Sequence, residues 1–206
     1  MASPDTSAPC KLVILVSGGG SNLQSFIDGV ENGSLSAEIA AVFSNRPKAF
    51  GLERAAKAAI ATEVVDHTLF ESREAFDAEL MQRIDAYSPD LVILAGFMRI
   101  LTPWFVRQWA GRMINIHPSL LPKYPGLNTH QRAIDAGDSN AGCSVHWVTE
   151  GVDEGSVIAQ ASVPILADDS AETLATRVLA EEHVLYPRAT AIAAHEILAK
   201  KKPLSV

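Results

Sequence analysis

The segment KLVILVS, residues 11–17, is apolar almost without interruption. Such a run fits a strand buried on both faces, as inside a parallel sheet. The next segment, NLQSFIDGVENG (22–33), changes period. Leu23, Phe26, Ile27 and Val30 recur at helical spacing, and Gly33 can close the element. EIAAVFSN (38–45) reads as a second strand and the alanine-rich AFGLERAAKAAIA (49–61) as a second helix. TEVVDH (62–67) predicts a short strand. SREAFDAELMQRIDAYS (72–88) predicts a helix with Ser72 as N-cap and Phe76, Leu80 and Ile84 on one face. DLVILAG (90–96) is another fully apolar strand, and a short helix near 103–110 leads into the strand RMINIH (112–117).

Strands alternating with helices predict right-handed βαβ units, hence an α/β fold: a doubly wound, mostly parallel sheet with helices on both faces. From Ala141 the rhythm changes. AGCSVHWV (141–148) and SVIAQASVPI (156–165) are strand-like runs joined by TEGVDEG (149–155), which is too short for a crossover helix. They predict an added antiparallel β region. The tail from Ser170 reads as helical, with a bend expected at Pro187. A flexible leader, 1–10, and a single domain, 11–206, follow from this pattern.

Composition narrows the function. A chain of 206 residues with 48% apolar content suits one well-formed core. The net charge of −7 argues against non-specific nucleic-acid binding, which needs a basic surface. A few local donors can still hold one phosphate. Cys10, in the leader, and Cys143 have no metal-ligand spacing and imply no disulfide scaffold, so a reduced, cytoplasmic protein without a metal is expected. MASPDTSAP has neither the basic nor the apolar region of a signal peptide, and no apolar run reaches the roughly 18 residues of a membrane span.

In sheets of this kind ligands bind beyond the carboxyl ends of the strands, and the polar clusters fall there. SGGGSN (17–22) links the first strand to the first helix. Its glycines allow positive φ, so that the N–H groups of Gly20, Ser21 and Asn22 can point at a phosphate. The plainer reading is a βα turn with Ser21 or Asn22 as cap. The motif is neither G-x-G-x-x-G nor a P-loop. In NIHP (115–118), Asn115 and His117 stand at i and i+2 of a strand and so face one side. Histidine can move a proton near neutral pH and an amide can donate to a developing oxyanion, which suggests direct acyl transfer or hydrolysis. A satisfied polar pair at a sheet end is the alternative. TEGVDEG offers Glu150, Asp153 and Glu154, any of which can hold the His117 ring. GFMRIL (96–101) can wall a flat ligand or pack a helix. Arg73 and Glu182 read as solvated, His146 as a packed strand residue, and Trp104, Trp109 and Trp147 as packing residues.

Together SGGGSNLQ, AVFSN, FGLERA, SREAFD, PDLVILAGFMRIL, NIHPSLLPKYPGL and VHWVTEGVDEG resemble the folate-dependent glycinamide ribonucleotide formyltransferases of purine biosynthesis, over about residues 11–190. NIHPSLLP-type motifs also occur in methionyl-tRNA formyltransferases, but the phosphate loop and the lack of an RNA-binding domain favour the small purine enzymes. The resemblance implies the formyltransferase fold, with 11–110 as a phosphate-binding, Rossmann-like half and 111–206 as a catalytic and folate-binding half. It implies Asn115, His117 and Asp153 as catalytic residues. It implies that Gly20, Ser21 and Asn22 hold the substrate phosphate and that Glu182 contacts the glycinamide part. Arg73, Met98, Arg99, Ile100, Leu101 and Asn115 would line the site for the co-substrate 10-formyltetrahydrofolate. Thr149, Glu150, Gly151, Val152 and Asp153 would complete it. Asn128 stands where relatives usually carry a histidine, Leu179 where a polar residue is usual, and Gly19 where asparagine is common. The partners implied are two small molecules, with no nucleic acid or membrane, and a homodimer is allowed. Two rival readings are a formyl-folate hydrolase and a non-catalytic binding module.

Overall fold

The computed structural model describes residues 9–201. The first eight residues of the expected leader, and residues 202–206 of the expected domain, lie outside the described residues. Cys10 belongs to no leader. It opens the first strand and is 1% exposed, and burial, aided by Asp90, pushes its thiol up to about 12.

Seven strands form one sheet: β1 (Cys10–Val16), β2 (Ala37–Ser44), β3 (Ala61–Val64), β4 (Leu91–Leu94), β5 (Met113–His117), β6 (Asn140–Trp147) and β7 (Val157–Pro164). Their order is β3-β2-β1-β4-β5-β6-β7. The first five pair in parallel, and β6 and β7 add antiparallel to β5. The chain winds outward from β1 to β3, then returns to β4 on the other side of β1. That reversal splays the connections after β1 and β4 apart and opens a crevice between them.

The helices are α1 (Ser21–Glu31), α2 (Phe50–Lys57), α3 (Arg73–Asp85), α4 (Pro103–Gln108), α5 (Thr129–Asp135) and α6 (Ala171–Lys201). Strand periodicity divides the apolar residues between two cores. Leu12, Ile14 and Val16 of β1 pack with Leu23, Phe26, Val178 and Tyr186 on the α1/α6 side. Val13 and Leu15 pack with Phe43, Phe76, Leu80 and Phe105 on the α3/α4 side. In β5, Ile114 and Ile116 face the first core and Met113 the second. Asn115 and His117 therefore continue the Met113 side, past the end of the packed layer.

Local signals behave as expected at several ends. The Ser72 hydroxyl accepts from the Ala75 N–H at 3.1 Å, capping α3, and Gly33 sits at φ 77° just beyond α1. α6 runs unbroken through Pro187. The helix α5, for which the sequence pattern made no provision, covers the end of the proline-rich stretch; only Thr129 and Ala133 of its seven residues are buried. Trp104 is 43% exposed, not a packing residue, whereas Trp109 is buried.

Tyr186 ties α6 to the sheet behind the crevice. Its buried hydroxyl lies 3.0 Å from the Leu94 carbonyl oxygen and 3.2 Å from that of Ile114, and its ring meets Phe26 edge-on. A Tyr186→Phe variant keeps the ring packing and loses the donor. Its expected penalty is about 1–2 kcal/mol in urea unfolding, with the denaturant slope unchanged.

Candidate active site

The SGGGSN turn is shaped by one obligatory glycine. Gly20 is the N-cap of α1 at φ 68°, and a Cβ there would approach Gly51 Cα to 2.7 Å. Gly18 and Gly19 have open space around them, so side chains fit at both. Neither Ser21 nor Asn22 caps the helix. The N–H groups of the first turn thus meet no side-chain cap at the positive end of the helix dipole, as an anion site requires.

Asn22 turns instead to α6, where its Nδ2 donates to Glu182 Oε2 at 2.8 Å. This corrects the solvated reading of Glu182, which is 7% exposed. Burial pushes its carboxyl above the usual range, and the Asn22 hydrogen bond works against that rise. The Asn22 Oδ1 is buried without a partner among the described residues.

β5 delivers the other cluster. Asn115 lies opposite His146 of β6, and His117 opposite Ser144. His117 is 6% exposed, and its Nδ1 stands 3.2 Å from Asp153 Oδ2. Its Nε2 is 2.9 Å from the Tyr124 carbonyl oxygen. Both ring nitrogens face acceptors, and only the doubly protonated ring can donate to the two together. The proline-rich loop that carries the Tyr124 carbonyl is tied to β6 and to Asp138. The Ser144 hydroxyl donates to the Ser119 carbonyl and accepts from the Leu121 N–H, and the Tyr124 hydroxyl donates to Asp138 at 2.8 Å.

Of the three acids in TEGVDEG, the structure brings Asp153 to the histidine. Glu150 pairs with Arg107 on the surface at 3.0 Å, and Glu154 is exposed. Asp153 adopts φ 57°, a left-handed conformation unusual for a non-glycine residue. Its Oδ2 also accepts from the Gly126 N–H at 2.9 Å, and its Oδ1 lies 3.6 Å from His146 Nε2. Burial alone would raise this carboxyl. The His146 ring, the Gly126 N–H and the charge of His117 together hold it below the usual carboxylate range.

A cavity of about 690 Å³ opens beside this group, lined by Asn115, His117, Asp153, Met98, Ile100 and His130 among others. A neighbouring one of about 140 Å³ is lined by Arg99, Leu101, Thr149, Glu150, Gly151 and Val152, and shares Asn115 and Asp153. Met98, Ile100, Leu127 and Val152 are each more than half exposed at this rim, a cluster of apolar surface of the kind that marks a ligand groove. The crevice walls are joined: the Ser17 hydroxyl accepts from the Met98 N–H at 2.8 Å and donates to Asn45 Oδ1. Arg73 stands exposed at the start of α3 and lines neither cavity.

Two contributors had no signal of their own. His146 is buried as a strand residue should be, yet faces Asp153 because β6 pairs with β5 in that register. His130, on α5, lines the cleft; burial first, then His117, holds its ring below the usual value.

The depressed Asp153 value has a pH consequence. Its folded value lies below its unfolded one, so the stability it contributes is complete above about pH 4 and is lost as pH falls through the folded value. Urea unfolding from pH 7 to pH 3 should therefore show the wild-type advantage over Asp153→Asn shrinking at the acid end.

A family model described as "Formyl transferase" matches residues 10–190. The phosphoribosylglycinamide formyltransferase of Escherichia coli K12 is 54% identical over 176 residues, which is 85% of this chain and 83% of that protein. The trifunctional purine biosynthetic protein adenosine-3 of Drosophila melanogaster is 49% identical over 184 residues; they span 88% of this chain but only 14% of that much longer protein. A solved structure of the phosphoribosylglycinamide formyltransferase of Coxiella burnetii, 50% identical, superposes with a TM-score of 0.85 over 90% of this chain and 86% of its own.

Proposed function

This chain belongs to the formyl transferase family, and on that premise we infer that it is a phosphoribosylglycinamide formyltransferase of purine biosynthesis. It transfers the formyl group of 10-formyltetrahydrofolate to the amine of glycinamide ribonucleotide, giving formylglycinamide ribonucleotide and tetrahydrofolate. The buried His117–Asp153 pair, 3.2 Å apart beside Asn115 at an apolar cleft, carries the reading.

The amine attacks the formyl carbon. A new C–N bond forms and the formyl oxygen takes up negative charge. The Asn115 carboxamide donates a hydrogen bond to that oxygen, and the protonated His117 ring sets a positive charge beside it. Asp153 holds the ring in orientation and balances its charge. The bond from carbon to the folate N10 then breaks. The proton lost by the amine reaches N10 through cleft water, so no net proton is consumed. Low exposure of the pair, 7% for the His117 side chain and 9% for that of Asp153, keeps these electrostatic effects strong.

The N–H groups of Gly20, Ser21 and Asn22 hold the ribotide phosphate, and Glu182 meets the glycinamide amine. Met98, Arg99, Ile100 and Leu101 with the 149–153 loop take the flat folate rings against apolar surface, and Arg73, outside the cavities, meets the carboxylate tail of that co-substrate. Residues 11–110 thus supply the phosphate site, and 111–206 the chemistry and the folate site, within one sheet. Among the described residues no helix is long and apolar enough to cross a membrane. We place the protein in the cytoplasm, as a monomer or homodimer acting on small molecules alone.

The test is an absorbance assay with 10-formyl-5,8-dideazafolate, with and without ribotide. Formyl loss should require ribotide; loss without it would identify a hydrolase, and none at all a binding module. Asn115→Ala and His117→Ala should each lower kcat by about 10²–10³-fold, with a far smaller change in the ribotide KM. Near-normal turnover in either variant would remove that residue from the mechanism.

A further inference from the structure

The three glycines of the SGGG turn carry carbonyls as well as N–H groups, and each of these three carbonyls has a partner. The Gly18 oxygen accepts from the Gly51 N–H at 2.9 Å, and the Gly20 oxygen from the Gln24 N–H at 3.0 Å. The Gly19 oxygen accepts from Nε of Arg54 at 2.8 Å. Nη1 of the same guanidinium donates to Gln24 Oε1 at 3.0 Å, and its plane lies over the Phe50 ring, 5.0 Å from the centroid. Gly18 and Gly19 carry no side chain to pack, and nothing lies within 4 Å of where their Cβ atoms would be. The hydrogen bonds to their carbonyls are the directional contacts on this part of the turn.

The sign of those bonds matters. A carbonyl aimed at a phosphate repels it, so a turn that presents N–H groups to an anion must send its oxygens elsewhere. Two of the three are taken by backbone. Only the Gly19 carbonyl depends on a side chain, and that side chain brings a permanent positive charge to the loop.

We propose that Arg54 is a positioning residue for substrate phosphate: by binding the Gly19 carbonyl it keeps the N–H groups of Gly20, Ser21 and Asn22 convergent, and so sets the preference for a phosphorylated substrate. This rests on the assignment of the turn to the ribotide phosphate made above. The alternative role is a brace between α1 and α2 with no bearing on the substrate.

Steady-state kinetics of the full chain separate the two. Wild type, Arg54→Gln and Arg54→Lys are compared with glycinamide ribonucleotide and with the riboside that lacks the phosphate, formyl-folate being saturating and then varied. Arg54→Gln should raise the ribotide KM about tenfold or more. Its kcat should stay within about twofold and its formyl-folate KM should not change. The preference for ribotide over riboside should fall by the same factor as the KM rises. Lysine keeps the charge but loses the planar fork that meets the Gly19 carbonyl and Gln24 together, so Arg54→Lys should fall between. An unaltered preference, with only the unfolding midpoint lowered, overturns the proposal, as does a joint shift of kcat and both KM values. If wild type itself does not prefer the ribotide, the phosphate-loop assignment fails. If wild type prefers it and Arg54→Gln does so equally, the role of Arg54 alone fails. Should Arg54→Gln be too unstable to assay, the same ratio for Arg54→Lys decides.

Discussion

The constraint on which the rest depends is that β1 is buried on both faces. Leu12 to Val16 are fully excluded from solvent, so helices must cover the sheet on each side. With β2 on one flank and β4 on the other, the connections after β1 and β4 leave in opposite directions. The crevice between them is a product of winding, available before any particular side chain is chosen. SGGGSN and GFMRIL occupy its two lips, joined by the Met98 N–H donating to the Ser17 hydroxyl.

On that frame the groups of the proposed chemistry lie where the sheet changes character. β5 is the last parallel strand, and β6 and β7 turn back beside it. The loop between β6 and β7 leaves beside Met113, at the start of β5, and folds back to bring Asp153 to His117. A buried pair of this kind is held by what its loss would leave behind: removing one partner strands a charge, at about 3–5 kcal/mol, well above the roughly 1 kcal/mol of an ordinary hydrogen bond. Fold and the proposed chemistry therefore share the same atoms, and kinetic effects at Asp153 have to be read beside the stability of the variant.

Much of this was legible in the chain. Continuous apolar runs gave β1 and β4, and alternation along β5 placed Asn115 and His117 on one side. Long-range pairing was not legible. Local spacing left Glu150, Asp153 and Glu154 equivalent; the choice among them came from family resemblance and then from coordinates. Glu182 was misread for a physical reason: a charged helical residue defaults to solvent, and only the packing of α1 against α6, with Asn22 as partner, reverses that. Trp104 erred the other way, a large ring left at the surface on a short helix. α5 escaped because its seven residues bury too little to show a period.

The Gly126 N–H that donates to Asp153 has a use outside the reaction. It is one backbone proton on a surface loop, bonded to the carboxylate that balances the histidine. Its rate of exchange with deuterated solvent is coupled to the charge on that carboxylate and to the opening of the loop. A single amide resonance can therefore report, without any substrate turned over, whether the acid–histidine pair is assembled.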